Sequence, residues 1–493
     1  MSNLFATKKI GQLLSEASAQ EKGLKRTLSA WSLVALGIGA IIGAGLFVRT
    51  AAAAGEHAGP AVTLSFLIAA TGCAFAGLCY AEFASMIPIA GSAYTYAYAT
   101  MGELVAWIIG WSLILEYALG AATVSIAWSE YLNNLLGGVF PYEWCHSPFQ
   151  VSPEGVSGII NLPALFILFL LTLLLIRGTQ ESAIFNSIMV ILKVAMVLLF
   201  IGIGWSFIND ANHTPYFIPS DAPSVDLGNG KFFDYSRPFH HGWPGVLTGA
   251  AVVFFAFIGF DAVSTAAQEA KNPKRDMPIG ILGSLAICTI LYILFSHVLT
   301  GVAPYTDFVK SGKEASVAFA IKQYMAGYEW LATMISVAIL AGFSSVILVM
   351  LMGQSRVFYS MAKDGLLPPV FSHLHPKFHT PFKSNWILFA FVGIFAGFIP
   401  GDVAGDLTSI GTLFAFILVC IGIWIMRVKA PELPRSFKTP LVPLVPILGI
   451  IVCLAMIISL PLQTQLSALG WMGVGLVIYL AYSRHHSKIQ QPH

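Results

Sequence analysis

The chain has 493 residues, of which 57% are hydrophobic and only 10% are charged, and its mean hydropathy is +0.77. About a quarter of the residues of a soluble globular domain are charged, so this composition excludes a soluble protein and indicates an integral membrane protein. The formal net charge of +2 gives no sign of a nucleic-acid partner.

Long apolar segments follow one another along the whole chain. A transmembrane helix needs about 20 predominantly apolar residues. By that rule the sequence contains twelve candidate spans, at residues 31–48, 62–86, 103–136, 158–176, 183–206, 244–268, 278–302, 329–357, 384–399, 406–427, 443–461 and 466–483. They predict an all-α integral membrane protein with 12 transmembrane helices.

The basic residues predict the orientation of the chain. With the N-terminus inside, 19 Lys and Arg residues fall on interior segments, among them Lys8, Lys9, Lys22, Lys25 and Arg26. Six fall outside, namely Arg49, Lys231, Arg237, Lys310, Lys313 and Lys322. Cytoplasmic segments carry an excess of Lys and Arg, so we expect a multi-pass protein of the cell (inner or plasma) membrane with both termini cytoplasmic.

Two of the spans are interrupted by glycine. The first contains the stretch Gly37–Gly45, and the sixth contains Phe255–Asp261. Unwound backbone at membrane depth survives only where it lines a cavity or is buried in protein, and glycine lets a ligand approach the main chain closely. Two broken helices in corresponding places favour a transporter. The alternative for each segment is close helix packing through small residues.

The interrupted helices also divide the chain. Spans 1–5 and 6–10 each begin with one, and an odd number of spans per group predicts a 5+5 inverted repeat. The predicted divisions are a cytoplasmic segment at 1–30, the first repeat at 31–206, an external loop at 207–243, the second repeat at 244–427, helices 11–12 at 428–483 and a cytoplasmic tail at 484–493. The proline-containing external loop is expected to be irregular and only partly ordered.

The centres of the broken helices suit a zwitterionic ligand. One half-helix presents the positive end of its dipole and the other its free carbonyls to the same cavity. The candidate carboxylate ligands are the N–H groups of Ile42, Gly43, Ala44 and Gly45, and the candidate ammonium ligands are the C=O groups of Phe255, Ala256 and Ile258.

Lys193 lies near the centre of the fifth span. An ionisable group there costs about 2.5 kcal/mol or more and is by default a functional-site hypothesis. Desolvation disfavours the charged form of a buried amine, so Lys193 is the candidate for proton coupling. The alternative is a permanently charged lysine that ties helices together.

Four further polar residues lie within spans. Glu116 in the third span and Asp261 beside the second break are candidate substrate contacts, proton-relay groups or ion-pair partners of Lys193. Ser344 and Ser345 in the eighth span are candidates for side-chain selectivity, and the alternative is that they bond their own helix.

No cofactor and no metal site is predicted. The loop histidines lack ligand spacing and are expected to be solvated; they are His240, His241, His373, His375 and His379. The sequence has no Walker-type phosphate loop, which argues against ATP-driven transport, and no nucleophile and base pair indicates an enzyme. Secondary transport is the class that remains.

These motifs resemble those of the amino acid, polyamine and organocation superfamily, and within it a bacterial member of the cationic amino acid transporter family. The resemblance is carried by Gly37–Phe47, Tyr80–Phe83, Pro88–Tyr94, Phe257–Asp261, Asn272–Pro278 and Arg356–Gly365. It implies the leucine-transporter-like fold, alternating access and an amino acid substrate. Lys193 resembles the fifth-helix lysine that takes the place of a sodium ion in sodium-coupled relatives, which implies proton coupling.

The predicted function is secondary active amino acid transport by proton-coupled, sodium-independent symport. An exchanger of amino acids or polyamines with the same fold is the alternative, and a non-transporting amino acid sensor is less well supported. The expected partners are an amino acid, protons and membrane lipid. A cationic or a neutral side chain on the substrate, the oligomeric state and a small membrane-protein partner stay open.

Overall fold

The computed structural model describes residues 4–8, 11, 28–87, 92–152, 154–177, 180–228, 231–267, 270–310, 316–376 and 380–490. Some predictions fall outside these ranges. They concern the basic residues Lys9, Lys22, Lys25, Arg26 and Lys313, the histidine His379 and residues 88–91 of the family resemblance.

α-Helices dominate the described chain. In chain order they are α1 (Ala30–Ile41), α2 (Thr50–Ala53), α3 (Val62–Met86), α4 (Ser92–Thr100), α5 (Glu103–Leu135), α6 (Leu162–Arg177), α7 (Gln180–Gly204), α8 (Gly242–Phe254), α9 (Ala262–Thr265), α10 (Pro273–Val302), α11 (Tyr305–Lys310), α12 (Ser316–Tyr324), α13 (Glu329–Lys363), α14 (Phe382–Phe398), α15 (Gly401–Lys429), α16 (Leu444–Ser459), α17 (Leu462–Ile478) and α18 (Arg484–His486).

Shorter elements extend and connect these helices. The π-helical turns are Gly45–Arg49, Ala54–Ala58 and Tyr479–Ser483. The 3-10 turns are Gly59–Ala61, Tyr142–Trp144, Trp205–Phe207, Asp210–His213, Phe255–Phe257 and Pro369–Ser372, and the two strands are β1 (Val225–Gly228) and β2 (Lys231–Phe233).

Eight helical runs in the described part of the chain are long and apolar enough to cross a membrane. They are Gly45–Met86, Glu103–Leu135, Ser187–Phe207, Gly242–Ser264, Pro273–Val302, Glu329–Lys363, Gly401–Lys429 and Leu462–His486. Four shorter apolar helices are α1, α6, α14 and α16. The prediction of a helical, multi-span membrane protein is confirmed, whereas the number of crossings and the inverted repeat stay predictions.

The run from Gly45 to Met86 changes conformation at Gly59. This glycine has φ of 59° and ψ of −142°, a region that residues with a Cβ avoid. Pro60 follows it at the start of a 3-10 turn, where a proline is tolerated because its missing N–H has no helical partner to lose. The turn separates the end of the first predicted span from α3, whose bounds match the second.

The loop at 207–243 is more regular than predicted. β1 and β2 pair antiparallel, with Val225 opposite Phe233. The loop also forms a small apolar cluster of its own, in which Ile218, Val225 and Tyr235 are buried together with Val309. The expectation of an irregular segment is therefore wrong for this hairpin, because alternating apolar residues on a short hairpin can bury one face against α11.

The two predicted breaks meet in the buried centre of the fold. α5 packs against α13 and α15, and α10 packs against α1 and α3. A Cβ placed on Gly45 would lie 2.1 Å from the Cα of Ala256. The backbone after α1 and the backbone after α8 are therefore in direct contact, which only a glycine at position 45 permits.

We expect Gly45→Ala to prevent this contact and to destabilise the protein by about 1–3 kcal/mol or more, because the opposing atom is backbone and cannot rotate away. Gly470→Ala is the matched control, since nothing lies within 4 Å of a Cβ at Gly470 and alanine favours a helix. The melting temperature of the purified protein in detergent measures both. Equal melting temperatures for the two variants would contradict the contact.

Candidate substrate-binding site

The first break lies directly after α1. Ile42 is extended, with ψ of 105°, and its N–H donates to the Ile38 carbonyl at 2.9 Å. The prediction that Ile42 provides a carboxylate ligand is therefore corrected, because its N–H is already engaged. The N–H groups of Gly43, Ala44 and Gly45 have no hydrogen-bond partner within the described chain. Unpaired N–H groups at the start of a helical run form a site for an anion.

The first break is shorter than the glycine pattern predicts. Gly37 and Gly39 lie inside α1. A Cβ on Gly37 would lie 2.4 Å from Oγ of Ser284, so this glycine lets α1 approach α10 closely. The sequence left two explanations open for these glycines, an unwound helix or close packing of helices. For Gly37 the explanation is close packing.

The second break follows α8 where it was predicted. After the 3-10 turn, Ile258 is extended with ψ of 135°, and Gly259 has φ of 112°. A Cβ on Gly259 would lie 2.9 Å from the carbonyl oxygen of Ala40. Glycine at this position therefore serves both the unusual backbone conformation and the close approach of α1.

Two of the three predicted ammonium ligands already have partners. The carbonyl of Phe255 accepts a hydrogen bond from the N–H of Ile258 at 3.3 Å, and that of Ala256 accepts one from the hydroxyl of Tyr292 at 2.9 Å. The carbonyl of Ile258 accepts no hydrogen bond within the described chain. Ile258 is therefore the predicted ligand that remains open to a substrate.

Tyr292 on α10 connects the two breaks. Its buried hydroxyl lies 3.0 Å from the carbonyl oxygen of Ile41 and 2.9 Å from that of Ala256. A hydroxyl has one proton, so it donates to one of these carbonyls at a time. Sequence reasoning missed this residue. The sequence did offer a signal for it, a tyrosine within an apolar span. Because a buried tyrosine hydroxyl usually has a hydrogen-bond partner, such a residue indicates a polar contact inside the protein.

Lys193 on α7 is buried against the end of α1. Its ammonium donates to the Gly39 carbonyl at 2.8 Å, and the residue is only 1% exposed. Gly342 on α13 makes room for it, because a Cβ there would lie 2.9 Å from Cε of Lys193. The lysine thus joins α7 to α13 and to the carbonyl end of α1, next to the first break.

The two predicted intramembrane acids face each other. Glu116 on α5 and Asp261 beside the second break are fully buried and interact, with Thr412 next to Glu116. The hydroxyl of Tyr117 donates to Oδ2 of Asp261 at 3.0 Å. Neither carboxylate oxygen of Glu116 reaches a partner with hydrogen-bond geometry in the described chain. No ion pair within the described residues joins either acid to Lys193.

The two predicted serines differ in their contacts. The hydroxyl of Ser344 donates to the carbonyl of Leu340 at 2.8 Å, so it bonds its own helix. Ser345 is buried. The next residue, Val346, faces the first break, because its Cγ2 would lie 3.0 Å from a Cβ on Gly43. The α13 side of the first break is therefore lined by an apolar side chain.

Ion pairs lie on both sides of the breaks. On the side of the long loop, Arg49 pairs with Asp406 on α15, and both side chains are largely buried. On the side that holds the described chain ends, Nζ of Lys8 lies 2.5 Å from Oδ1 of Asp364, whose Oδ2 accepts a hydrogen bond from Tyr94 at 2.7 Å. Both ion pairs are formed in this structure.

The sequence also matches a known protein family. A family model described as Amino acid permease matches residues 28–481. The chain belongs to this amino acid permease family. The family is part of the amino acid, polyamine and organocation superfamily, so the resemblance expected from the sequence is confirmed. The protein is an amino acid transporter of the membrane and not an enzyme.

Several transporters are similar to this chain, two of them over their whole length. The chain is 44% identical over 492 residues to a branched-chain amino acid permease, BcaP, from Bacillus subtilis (strain 168), covering 99% of each chain. It is 42% identical to a methylthioribose transporter from the same organism, covering 100% of each. It is also 35% identical to the vacuolar cationic amino acid transporter 4 of Arabidopsis thaliana, covering 83% of this chain and 64% of that one.

We expect Tyr292→Phe to remove the one donor that the carbonyls of Ile41 and Ala256 share, and to destabilise the permease by about 1–3 kcal/mol. Tyr482→Phe is the control, because the contact of Tyr482 with Nδ1 of His486 uses its backbone carbonyl and not its hydroxyl. Thermal unfolding in detergent measures both. A Tyr292→Phe variant as stable as Tyr482→Phe would show that Tyr292 does not hold the breaks together.

Proposed function

We propose that this permease is a proton-coupled, sodium-independent amino acid symporter that works by alternating access and binds its substrate at the two helix breaks. The observation that carries the proposal is the position of Lys193. Its ammonium binds the carbonyl end of α1 at Gly39, and unpaired N–H groups follow at Gly43, Ala44 and Gly45. A titratable group and an anion site therefore share one short stretch of backbone.

The substrate would bind through its backbone groups. Its carboxylate accepts from the N–H groups of Gly43, Ala44 and Gly45, which have no partner in the described chain. Its ammonium donates to the carbonyl of Ile258, on the opposite side of the contact between the two breaks. Charge-assisted hydrogen bonds of this kind are about twice as strong as neutral ones, so they favour a zwitterion.

Proton coupling would act through the bond between Lys193 and Gly39. The charged ammonium makes a charge-assisted bond to the carbonyl, whereas the neutral amine makes a weaker one. Loss of the proton therefore loosens α1 from α7 and α13. A ligand or proton can shift a conformational equilibrium only as far as it binds one state better than the other, and this bond supplies such a difference.

Alternating access would require the two ion pairs to open in turn. Arg49 and Asp406 close one side, and Lys8 and Asp364 close the other. In this proposal the chain crosses a cell membrane twelve times as a 5+5 inverted repeat plus two helices. Both termini then lie in the cytoplasm, so the pair between Arg49 and Asp406 faces outward.

We propose a neutral amino acid with an apolar side chain as the substrate. Val346 lies against Gly43, and the rings of Phe47 and Phe343 lie 6.3 Å apart beside the same break. The similarity to a permease named for branched-chain amino acids supports this choice. The alternative is a cationic side chain bound by Glu116 and Asp261, which the similarity to cationic amino acid transporters supports.

We expect Lys193→Ala to abolish uptake driven by an inward proton gradient and to leave exchange of internal for external amino acid intact, because only net transport needs the proton cycle. Radiolabelled leucine uptake into proteoliposomes, with and without sodium, measures both modes. Lys322→Ala, at a lysine that contacts Asn134 far from the breaks, is the control. Uptake that ignores the gradient and needs internal substrate would make the permease an exchanger.

We expect Val346→Ala to weaken uptake of isoleucine and valine relative to phenylalanine by about tenfold, because one or two methyl groups in an apolar pocket are worth about 1–3 kcal/mol of discrimination. Val428→Ala, at a position that is 72% exposed, serves as the control. Competition by a panel of amino acids, with arginine included, measures the ratio. Strong competition by arginine would instead favour a role for Glu116 and Asp261.

A further inference from the structure

The long external loop is attached to the helices by two stacked histidine pairs. His240 stacks on His57 with ring centroids 4.7 Å apart and an interplanar angle of 15°, and His213 stacks on His297 at 4.5 Å and 29°. In each pair one histidine belongs to the loop at 207–243 and the other to a helical segment. The sequence predicted solvated loop histidines, but His240 is half-buried because its partner comes from a distant part of the chain.

The first pair is held by reciprocal hydrogen bonds. Nδ1 of His57 lies 3.0 Å from the carbonyl oxygen of Phe239, and Nδ1 of His240 lies 2.7 Å from that of Glu56. A carbonyl oxygen only accepts, which assigns a hydrogen to Nδ1 of both rings. Each histidine therefore binds the residue that precedes its partner, and two neutral rings satisfy this arrangement.

The second pair attaches the beginning of the loop to α10. Nε2 of His213 lies 3.2 Å from the carbonyl oxygen of His297 and 3.4 Å from Oγ1 of Thr300. The side chain of Asn212 donates to the carbonyl of Gly301 at 2.8 Å. Trp205 also contacts His297, with ring centroids 5.6 Å apart and the ring planes tilted by 49°.

Other charged and titratable groups surround the first pair. On the loop, Asp234 interacts electrostatically with His240 and with Arg237, and hydrogen bonds from Ser236 hold the pKa of Asp234 below its usual value. His241 lies beside the pair, with its Nδ1 2.8 Å from the carbonyl oxygen of Tyr235.

The helical side contributes Glu56, which interacts electrostatically with Tyr235, and Tyr305 packs on the same tyrosine. Next to the second pair, Asp210 lies in the 3-10 turn that carries His213.

We propose that the two histidine pairs form an acid-released attachment of the external loop. Neutral imidazoles stack face to face, but protonation of both rings places like charges less than 5 Å apart, which is repulsive. Histidine is the side chain whose charge changes between about pH 5 and about pH 8. The attachment is therefore present while the rings are neutral and is lost when the external pH is low enough to charge both rings of a pair.

The loop covers segments that shape the substrate site. His57 lies in the π-helical turn Ala54–Ala58, within the helical run that begins at Gly45 in the first break. His297 lies on α10, which also carries Tyr292. Release of both pairs would free the outer ends of these two helices, so external acid would promote outward opening independently of Lys193.

Cysteine labelling tests this release without any transport assay. All six native cysteines are buried. Ala61 is fully buried under the loop, where its N–H donates to the carbonyl of Tyr216 at 3.1 Å, so Ala61→Cys reports loop release to a membrane-impermeant maleimide. Ser236→Cys, at an exposed position, corrects for the pH dependence of the thiol itself.

We expect the labelling ratio of Ala61→Cys to Ser236→Cys to rise severalfold as the pH falls from about 8 to about 5, the range in which histidine changes its charge. A ratio that does not change with pH would overturn the proposal.

Substitution of the loop histidines identifies the titrating groups. The double variant His213→Asn/His240→Asn should make the labelling ratio of Ala61→Cys to Ser236→Cys independent of pH. This holds both if the loop stays attached in the variant and if it is released at every pH. His146→Asn should preserve the pH dependence, because His146 lies outside the loop at 207–243 and pairs with Glu130 on α5. A pH-dependent ratio that survives in the double variant would contradict the assignment. If the double variant does not fold, the two single variants should each reduce the dependence.

Discussion

The constraint on which this structure depends is the need of every backbone polar group at membrane depth for a partner. The two helix breaks release N–H and C=O groups in the buried centre of the fold. Side chains of the protein bind some of the freed carbonyls: the hydroxyl of Tyr292 lies between those of Ile41 and Ala256, and the ammonium of Lys193 binds that of Gly39. The carbonyl of Ile258 accepts no hydrogen bond within the described chain. It leaves the N–H groups of the first break without partners in the described chain. In our proposal, a substrate carboxylate accepts from these N–H groups.

In the proposed mechanism, substrate and proton bind to the same segment. The Gly39 carbonyl that binds Lys193 and the unpaired donors at Gly43–Gly45 belong to one stretch of backbone. Coupling between two ligands is reciprocal in free energy. If protonation of Lys193 favours the arrangement that binds substrate, bound substrate must favour the protonated lysine to the same extent. Glu116 and Asp261 are not part of this contact, because they face each other elsewhere beside the second break.

Much of the fold could be predicted from the sequence, and the reasons differ between features. Membrane spans were found because burial in lipid demands long apolar runs, and α3 and α5 match their predicted bounds closely. The break at Gly259 was found because its glycine is required by backbone conformation. Gly37 also interrupts an apolar span, but it is a glycine because α1 packs closely against Ser284 there. Periodicity and composition cannot distinguish a glycine that breaks a helix from one that lets two helices pack closely.

Features that depend on contacts between distant residues could not be predicted. Tyr292 and Val346 looked like ordinary core residues, because their roles come from which backbone lies opposite them. The same holds for His57 and His240, which are separated by almost two hundred residues and stack only in the folded chain. Lys193 could be identified in advance because a lysine in an apolar span is unusual in itself, whereas its partner, the Gly39 carbonyl, carries no side-chain signal.

The central claim is that unpaired backbone donors at Gly43–Gly45 hold the substrate carboxylate. Amide hydrogen exchange of peptides covering residues 42–47, with and without saturating leucine, tests it most directly. The account predicts that exchange in this segment slows when leucine is bound. Unchanged exchange there, under conditions in which leucine raises the melting temperature of the permease, would contradict it.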